Sequence, residues 1–143
     1  MRRVLRRSLR QWRRNESGAV AVEFAIIAPL LFAMLFGIVV VGYAMALSHS
    51  VNQLAGSAAR ASVAGLTQGE RRDLAQAYLD EAATHYPLLV QDAIRPTLTL
   101  SQTGDANITV AIAYDLDGSM LSLADGFLGL DMSVLRSEAY LAY

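Results

Sequence analysis

The sequence predicts an α+β protein with a long N-terminal transmembrane helix, a second amphipathic helix and a small antiparallel sheet of about three strands. Residues 24–47 form one uncharged apolar run, residues 74–86 place apolar side chains at helical spacing, and residues 97–114 alternate apolar with polar side chains. The chain has 143 residues and no cysteine. It therefore has room for one small domain beside the helix, and its stability depends on packing without disulfides.

Charge divides the chain into a basic start and an acidic remainder. Residues 1–18 carry seven arginines against Glu16, a net charge of +6, while residues 19–143 carry five arginines against twelve acidic residues, a net charge of −7. Basic residues beside a membrane segment stay in the cytoplasm, so we expect a cytoplasmic N-terminus and a C-terminal domain across the membrane. We divide the chain into a leader (1–18), a transmembrane helix that continues outside the membrane (19–65) and a small α+β domain (66–143).

The apolar run is long enough to cross a membrane. Its 24 residues span about 36 Å as a helix, against a hydrocarbon core of about 30 Å. Glu23 places a carboxylate next to the start of this run. A charge in a membrane segment costs free energy, so we expect an interaction that compensates for this cost. Pro29 removes one backbone hydrogen bond, so we expect a kink or local unwinding there. Small residues recur at four- and eight-residue spacing, which favours close helix packing but is also common in membrane helices: Ala21, Ala25, Ala33 and Gly37.

A short motif stands where the leader meets the apolar run. Gly18 ends the basic leader, and five residues follow that end in Glu23, with Phe24 next. This arrangement resembles the Gly-x-x-x-x-Glu-aromatic processing signal of the tight-adherence (Flp-type IV) pilus system. With its length and its strand-forming C-terminal part, the chain most resembles the TadE-like minor pseudopilins of that system.

The resemblance implies a pilin-like fold and a precursor that a prepilin peptidase cuts between Gly18 and Ala19. It implies that Glu23 and Phe24 act in processing and assembly, and that Pro29 is the proline found in the membrane half of such helices. The implied partners are the peptidase, other pilins and pseudopilins, and the pilus assembly platform in the inner membrane. We expect a single-pass protein of the inner membrane with a periplasmic domain, which is either incorporated in the pilus or stays at its base.

The residues also suggest what Glu23 and Gly18 do. After cleavage, the new amine of Ala19 lies close to the membrane depth of Glu23, so one subunit's carboxylate can pair with its neighbour's amine. The alternative is a Glu23 that marks the membrane interface and stays hydrated. At Gly18 we expect extended, unhindered backbone for the peptidase.

Beyond the membrane run, local patterns predict the remaining elements. The first helix should end near Gly65, and a capping box of Thr67 and Glu70 should start a second helix that Pro87 stops. A hairpin turning at 103–106 and a third strand over 133–143 should form the sheet. Residues 120–130 are predicted as a loop or short helix that leaves four side chains available to a partner: Leu121, Leu123, Phe127 and Leu128.

The sequence favours no catalysis and no cofactor. It lacks a Gly-x-Ser-x-Gly motif, a phosphate-binding loop, a cysteine nucleophile and the His-Glu-x-x-His spacing. Residues 115–119 resemble the beginning of a calcium loop but lack its third acidic position and its closing glutamate, so a solvated turn is favoured over a metal site. The leader arginines adjoin a membrane segment and have no aromatic stacking platform, so we expect contact with membrane lipid and not with nucleic acid.

Two alternative hypotheses share part of the predicted topology. A secreted domain would be cut after Ala46 within Ala44-Met45-Ala46, and a bitopic membrane anchor unrelated to pili would not be cut at all. The first residue of the mature protein separates these hypotheses. It is Ala19 for a pseudopilin, Leu47 for a secreted domain, and Met1 or Arg2 for an uncut anchor.

Overall fold

A computed structural model of the chain describes residues 16–101, 106–129 and 133–142. Most of the leader, the turn of the predicted hairpin and Tyr143 lie outside these residues. The described elements are four α-helices, one 3₁₀ turn and three strands: α1 (Glu16–Ser62), α2 (Gln68–Asp80), α3 (Ala82–His85), the 3₁₀ turn (Gln91–Ala93), β1 (Ile94–Ser101), β2 (Asn107–Asp115), α4 (Met120–Leu128) and β3 (Val134–Ala142). This confirms the predicted α+β class with its long helix and three-stranded sheet.

The chain divides into two compact units between residues 39 and 40, and helix α1 contributes to both. It ends at Ser62, three residues before the predicted Gly65 cap, where the Ser62 hydroxyl donates to the Ala59 carbonyl at 2.6 Å. Gly65 is still required for the turn that follows. A Cβ at residue 65 would lie 2.6 Å from the backbone nitrogen of Arg71, too close for any larger residue without a backbone shift.

Helix α2 begins with the predicted capping box. The Thr67 hydroxyl accepts from the Glu70 backbone N–H at 3.2 Å, and the Glu70 carboxylate accepts from the Thr67 N–H at 3.2 Å. The prediction of one continuous helix to residue 86 is wrong, because α2 stops at Asp80 and α3 starts at Ala82. The Gln91 side chain fills this break, donating to the Leu79 carbonyl at 2.9 Å and accepting from the Ala83 N–H at 3.1 Å.

The three strands form one antiparallel sheet in the order β1-β2-β3. The central strand β2 alternates fully, so Ile108, Val110, Ile112 and Tyr114 are buried on one face. In register, Leu98 lies opposite Val110 on one side and Ala139 lies opposite it on the other. Strand β3 alternates in the same way, with Leu135, Ala139 and Leu141 packed against the core and Arg136, Glu138 and Tyr140 exposed.

The inner face of the sheet belongs to one apolar core with the C-terminal part of α1. Leu47, Val51, Leu54, Ala55 and Ala58 of that helix are completely buried in the same cluster as the β2 side chains. Two polar side chains also join these elements, since the Ser137 hydroxyl donates to the Asn52 side-chain oxygen at 2.5 Å. Helix and sheet therefore form a single folded domain within the second unit.

Residues 120–128 are a helix and not a loop, and they are only partly free for a partner. The Ser119 hydroxyl accepts from the backbone N–H groups of Leu121 and Ser122, which caps the helix, and Gly129 ends it with a φ of 62°. The prediction that Leu121 is available to a partner is wrong, because its side chain is buried in the core. Leu123 is 73% exposed, as expected. The Phe127 and Leu128 side chains lie outside the described ones.

Candidate processing and assembly segment

The first part of α1 is an exposed apolar cylinder. Every large hydrophobic side chain that the structure describes between Val20 and Val39 is exposed, whereas Val40 and Leu47 are buried. Residues 18–62 form one helix that is long and apolar enough to cross a membrane by length and composition. The 22 residues from 18 to 39 (39 − 18 + 1) measure about 33 Å, enough for one crossing.

The position of this cylinder refines the membrane segment expected from sequence. If the membrane segment were the uncharged run 24–47, Glu23 would lie at its edge. In the structure, however, the domain core covers one face of the helix from residue 40 onward. The stretch left for lipid is therefore displaced toward the N-terminus, to about 18–39. Glu23 then lies five residues, or about 7.5 Å, inside that stretch, where a carboxylate costs more than at its edge.

The bond between Gly18 and Ala19 lies within the first turns of α1. The structure shows helix from Glu16 onward, so the extended backbone expected at Gly18 is not present. The sequence there has no proline to stop the helix, and glycine alone only weakens it, by about 1 kcal/mol relative to alanine. A Cβ at residue 18 would meet nothing within 4 Å, so no described neighbour packs against this position.

Glu23 and Ala19 are one helical turn apart. Residues four apart lie on the same face of a helix, and their axial separation is about 6 Å. The Glu23 side chain is exposed, and within the described part of the chain no hydrogen bond or ion pair engages it. Phe24, the next residue, is also exposed. The structure thus leaves both side chains of the motif free for contacts with other molecules.

Pro29 lies inside α1 without ending it. The helix is continuous from Glu16 to Ser62, so the local unwinding expected at this proline is not found, and the kink itself stays a prediction. Among the small residues of this segment, Gly37 and Gly42 have open space where a Cβ would stand. Both therefore leave the helix backbone accessible to a neighbouring helix.

Comparison with protein families identifies this segment. Residues 18–60 match the TadE family, described as TadE-like protein. The segment is TadE-like. The match begins at Gly18 and covers nearly all of α1, which confirms the resemblance to TadE-like proteins over these residues. Searches of curated proteins and of solved structures found no match.

The other polar motifs have local structural roles in the described part of the chain. The Asp115 carboxylate accepts from the Asp117 N–H at 3.0 Å, and Ser119 caps α4, so residues 115–119 form a turn. His49 lies 2.6 Å from the Gln53 amide one helical turn away. No group of three or more His, Cys, Asp or Glu side chains comes together in the described ranges.

A polar cluster joins α1 to α2 and α3. Tyr86 and Ser57 place their hydroxyl oxygens 3.2 Å apart, and the Arg60 guanidinium donates to the Ser57 hydroxyl at 2.9 Å. The Tyr78 ring stacks on the His85 ring, with 4.7 Å between centroids. Partial burial raises the pKa of the Tyr78 phenol, and its hydrogen bond with Tyr86 raises it further. This cluster holds the two short helices against the end of the long one.

Sequence reasoning missed one feature of the outer face of the sheet, a row with an arginine at each side. Arg95 on β1 and Arg136 on β3 lie opposite Ala113 of β2, on either side of it. The alternation of each strand would have placed these three side chains on one face, but only the register shows that they share a row.

Proposed function

We propose that the protein is a minor pseudopilin that is processed by a prepilin peptidase and acts in assembling a tight-adherence (Flp/Tad) type IV pilus. One observation carries this proposal: the TadE-like match starts at Gly18 and extends along the exposed helix that follows. The role is structural, with no catalytic step and no cofactor. Its partners are the peptidase, other pilins and pseudopilins, and the assembly platform of the inner membrane.

The proposed topology follows from charge. The seven leader arginines precede the exposed stretch 18–39, and the next cation in the chain is Arg60. This asymmetry favours a cytoplasmic leader and a periplasmic domain. Cleavage after Gly18 then removes the arginines and leaves Ala19 as a new amine at the cytoplasmic end of the membrane segment.

Glu23 is the proposed assembly residue. It lies one turn from Ala19 on an exposed helix, in a position where an unpaired carboxylate is costly. A neighbouring subunit displaced by about 6 Å along the axis would bring its Ala19 amine level with this carboxylate. The ion pair would then set the axial register between subunits, because removing either partner leaves a partly desolvated charge unmatched.

Replacing Glu23 tests this role in the full-length chain. We expect Glu23→Ala to be made, inserted and cut after Gly18, because the substitution makes the segment more apolar, yet to lose co-purification with partner pilins and to fail to restore piliation in a deletion strain. Glu23→Gln should show a milder defect, because it keeps hydrogen bonding without charge. Val22→Ala, one residue away on the same exposed helix, is the control and should assemble normally.

Two results would contradict the proposed pair. Full piliation by Glu23→Ala would show that the carboxylate is not needed for assembly. Loss of cleavage in Glu23→Ala would place its role in processing instead. A pair between Glu23 and the amine of its own chain would stabilise the first turn of the helix without joining subunits, and it also predicts normal piliation for Glu23→Ala.

A further inference from the structure

The outer face of the sheet carries a trough with a small floor and charged walls. Its volume is about 470 Å³, and alanines 111 and 113 of the central strand form the floor. One row across the sheet reads Arg95, Ala113, Arg136, and the next row reads Thr97, Ala111, Glu138. Alanine projects only a methyl group, so another backbone can approach the floor closely.

This trough is cationic on an otherwise acidic domain. Residues 19–143 have a net charge of −7, yet the first row of the trough places an arginine on each side of Ala113. Arg95 donates to the Asp92 carbonyl at 2.8 Å, and no carboxylate of the described residues forms an ion pair with it. Both guanidinium side chains are exposed. Charge complementarity therefore indicates an acidic occupant.

Helix α2 has an exposed face of matching chemistry. Ala75 and Leu79 are buried against the core. At about 100° per residue, Asp73, Ala77 and Asp80 lie on the opposite side of the helix, and all three are exposed. This side therefore presents a small residue between two carboxylates, the inverse of the arginine row.

The spacing of the two charge pairs also agrees. Arg95 and Arg136 are two strand spacings apart, roughly 10 Å between Cα atoms. Asp73 and Asp80 are seven residues apart, about 10.5 Å along the helix axis. A helix laid across the strands, with Ala77 over Ala113, brings one carboxylate to each arginine.

We propose that the trough binds helix α2 of a second copy of this chain. The two surfaces are different, so the contact is head-to-tail, and repeating it gives an open chain of subunits instead of a closed dimer.

This inference goes beyond the proposed function, because it concerns the domain and not the membrane segment. Its failure is distinguishable from a failure of the pseudopilin proposal. A chain that is cut after Gly18 and needs Glu23 for piliation would remain a pseudopilin even if its domains do not contact one another in this way.

Disulfide crosslinking tests the contact directly, since the natural chain has no cysteine. We expect the full-length double variant Ala77→Cys with Ala113→Cys, oxidised in membrane vesicles, to give dimers, trimers and longer products on a non-reducing gel. Each single variant should stay monomeric. The control pair Arg72→Cys with Ala113→Cys uses the same helix but a side chain about 140° around it, and it should not crosslink.

Charge reversal gives a second measurement on the same background. Arg95→Glu with Arg136→Glu should lower the crosslinked fraction about tenfold, because like charges then meet across the contact. Adding Asp73→Arg with Asp80→Arg should restore it. A variant that has merely unfolded could not be restored by more charges, so restoration also excludes misfolding.

Three results would overturn the proposal. Equal ladders from the Arg72 control pair would mean random collision, and an unchanged ladder after charge reversal would remove the electrostatic fit. Absence of any ladder with the purified chain in vesicles, together with a crosslink from Ala113→Cys alone to another protein in cells, would show that the trough takes a different partner.

Discussion

Leu54 provides the sharpest test of how the domain is held on helix α1. Its side chain is completely buried in the core that α1 shares with the sheet. Leu54→Ala removes three carbon atoms from that core, at about 0.8 kcal/mol for each buried methylene, or about 2.4 kcal/mol. The cavity left behind adds to this loss, so we expect a total of about 3 to 4 kcal/mol.

The loss should appear as a lower resistance to urea. At a slope of about 1.5 kcal/mol per molar urea, a loss of 3 kcal/mol shifts the midpoint down by about 2 M. We would follow the midpoint by brief proteolysis of the full-length chain in vesicles, with the domain accessible to the protease. Insertion should be unchanged, because Leu54 lies outside the exposed stretch 18–39.

Leu66→Ala is the matched control, since Leu66 is 91% exposed. The same chemical change there should alter stability by no more than about 0.5 kcal/mol. If the two variants unfold at the same urea concentration, α1 is not part of the domain core, and the division of the helix into a lipid-facing and a domain-facing part is wrong.

Two further predictions concern helix α2: its N-terminal cap at Thr67 and the titration of Tyr78. Thr67→Ala should lower the domain's stability by about 1 kcal/mol, because it opens the capping box, while Thr67→Ser should keep most of it; urea midpoints check this. The raised pKa of Tyr78 means that the folded state holds this proton more tightly than the unfolded state. Its stabilising effect is therefore complete below about pH 10 and is lost as pH rises through the folded-state pKa, so Tyr78→Phe should weaken the fall in stability above about pH 10.

Local patterns were sufficient for much of this fold. The uncharged run predicts α1, Thr67 and Glu70 have the spacing of a capping box, and the alternation of residues 108 to 114 places their apolar side chains on the inner face. Each of these signals depends on residues close together in the chain. The motif at 18–24 could likewise be recognised from the sequence, because its glycine, glutamate and aromatic residue have a fixed spacing within one contiguous segment.

Contacts between distant residues explain what the sequence did not reveal. The break between α2 and α3 is satisfied by Gln91, which reaches back to the Leu79 carbonyl across 12 residues. Leu121 was expected to be exposed because its whole segment is apolar, and only the folded domain shows which side of α4 is covered. The arginine row of the outer face depends on strand register, which pairs residues that are far apart in the chain.

The first residue of the mature protein tests the central claim most directly. Mass spectrometry of the protein purified from membranes should find Ala19 at the N-terminus, and Gly18→Val should retain the leader, because a stiff β-branched residue replaces glycine at the cleavage site. A mature protein that begins at Leu47 would contradict the account in favour of a secreted domain. One that begins at Met1 or Arg2 would contradict it in favour of an uncut membrane anchor.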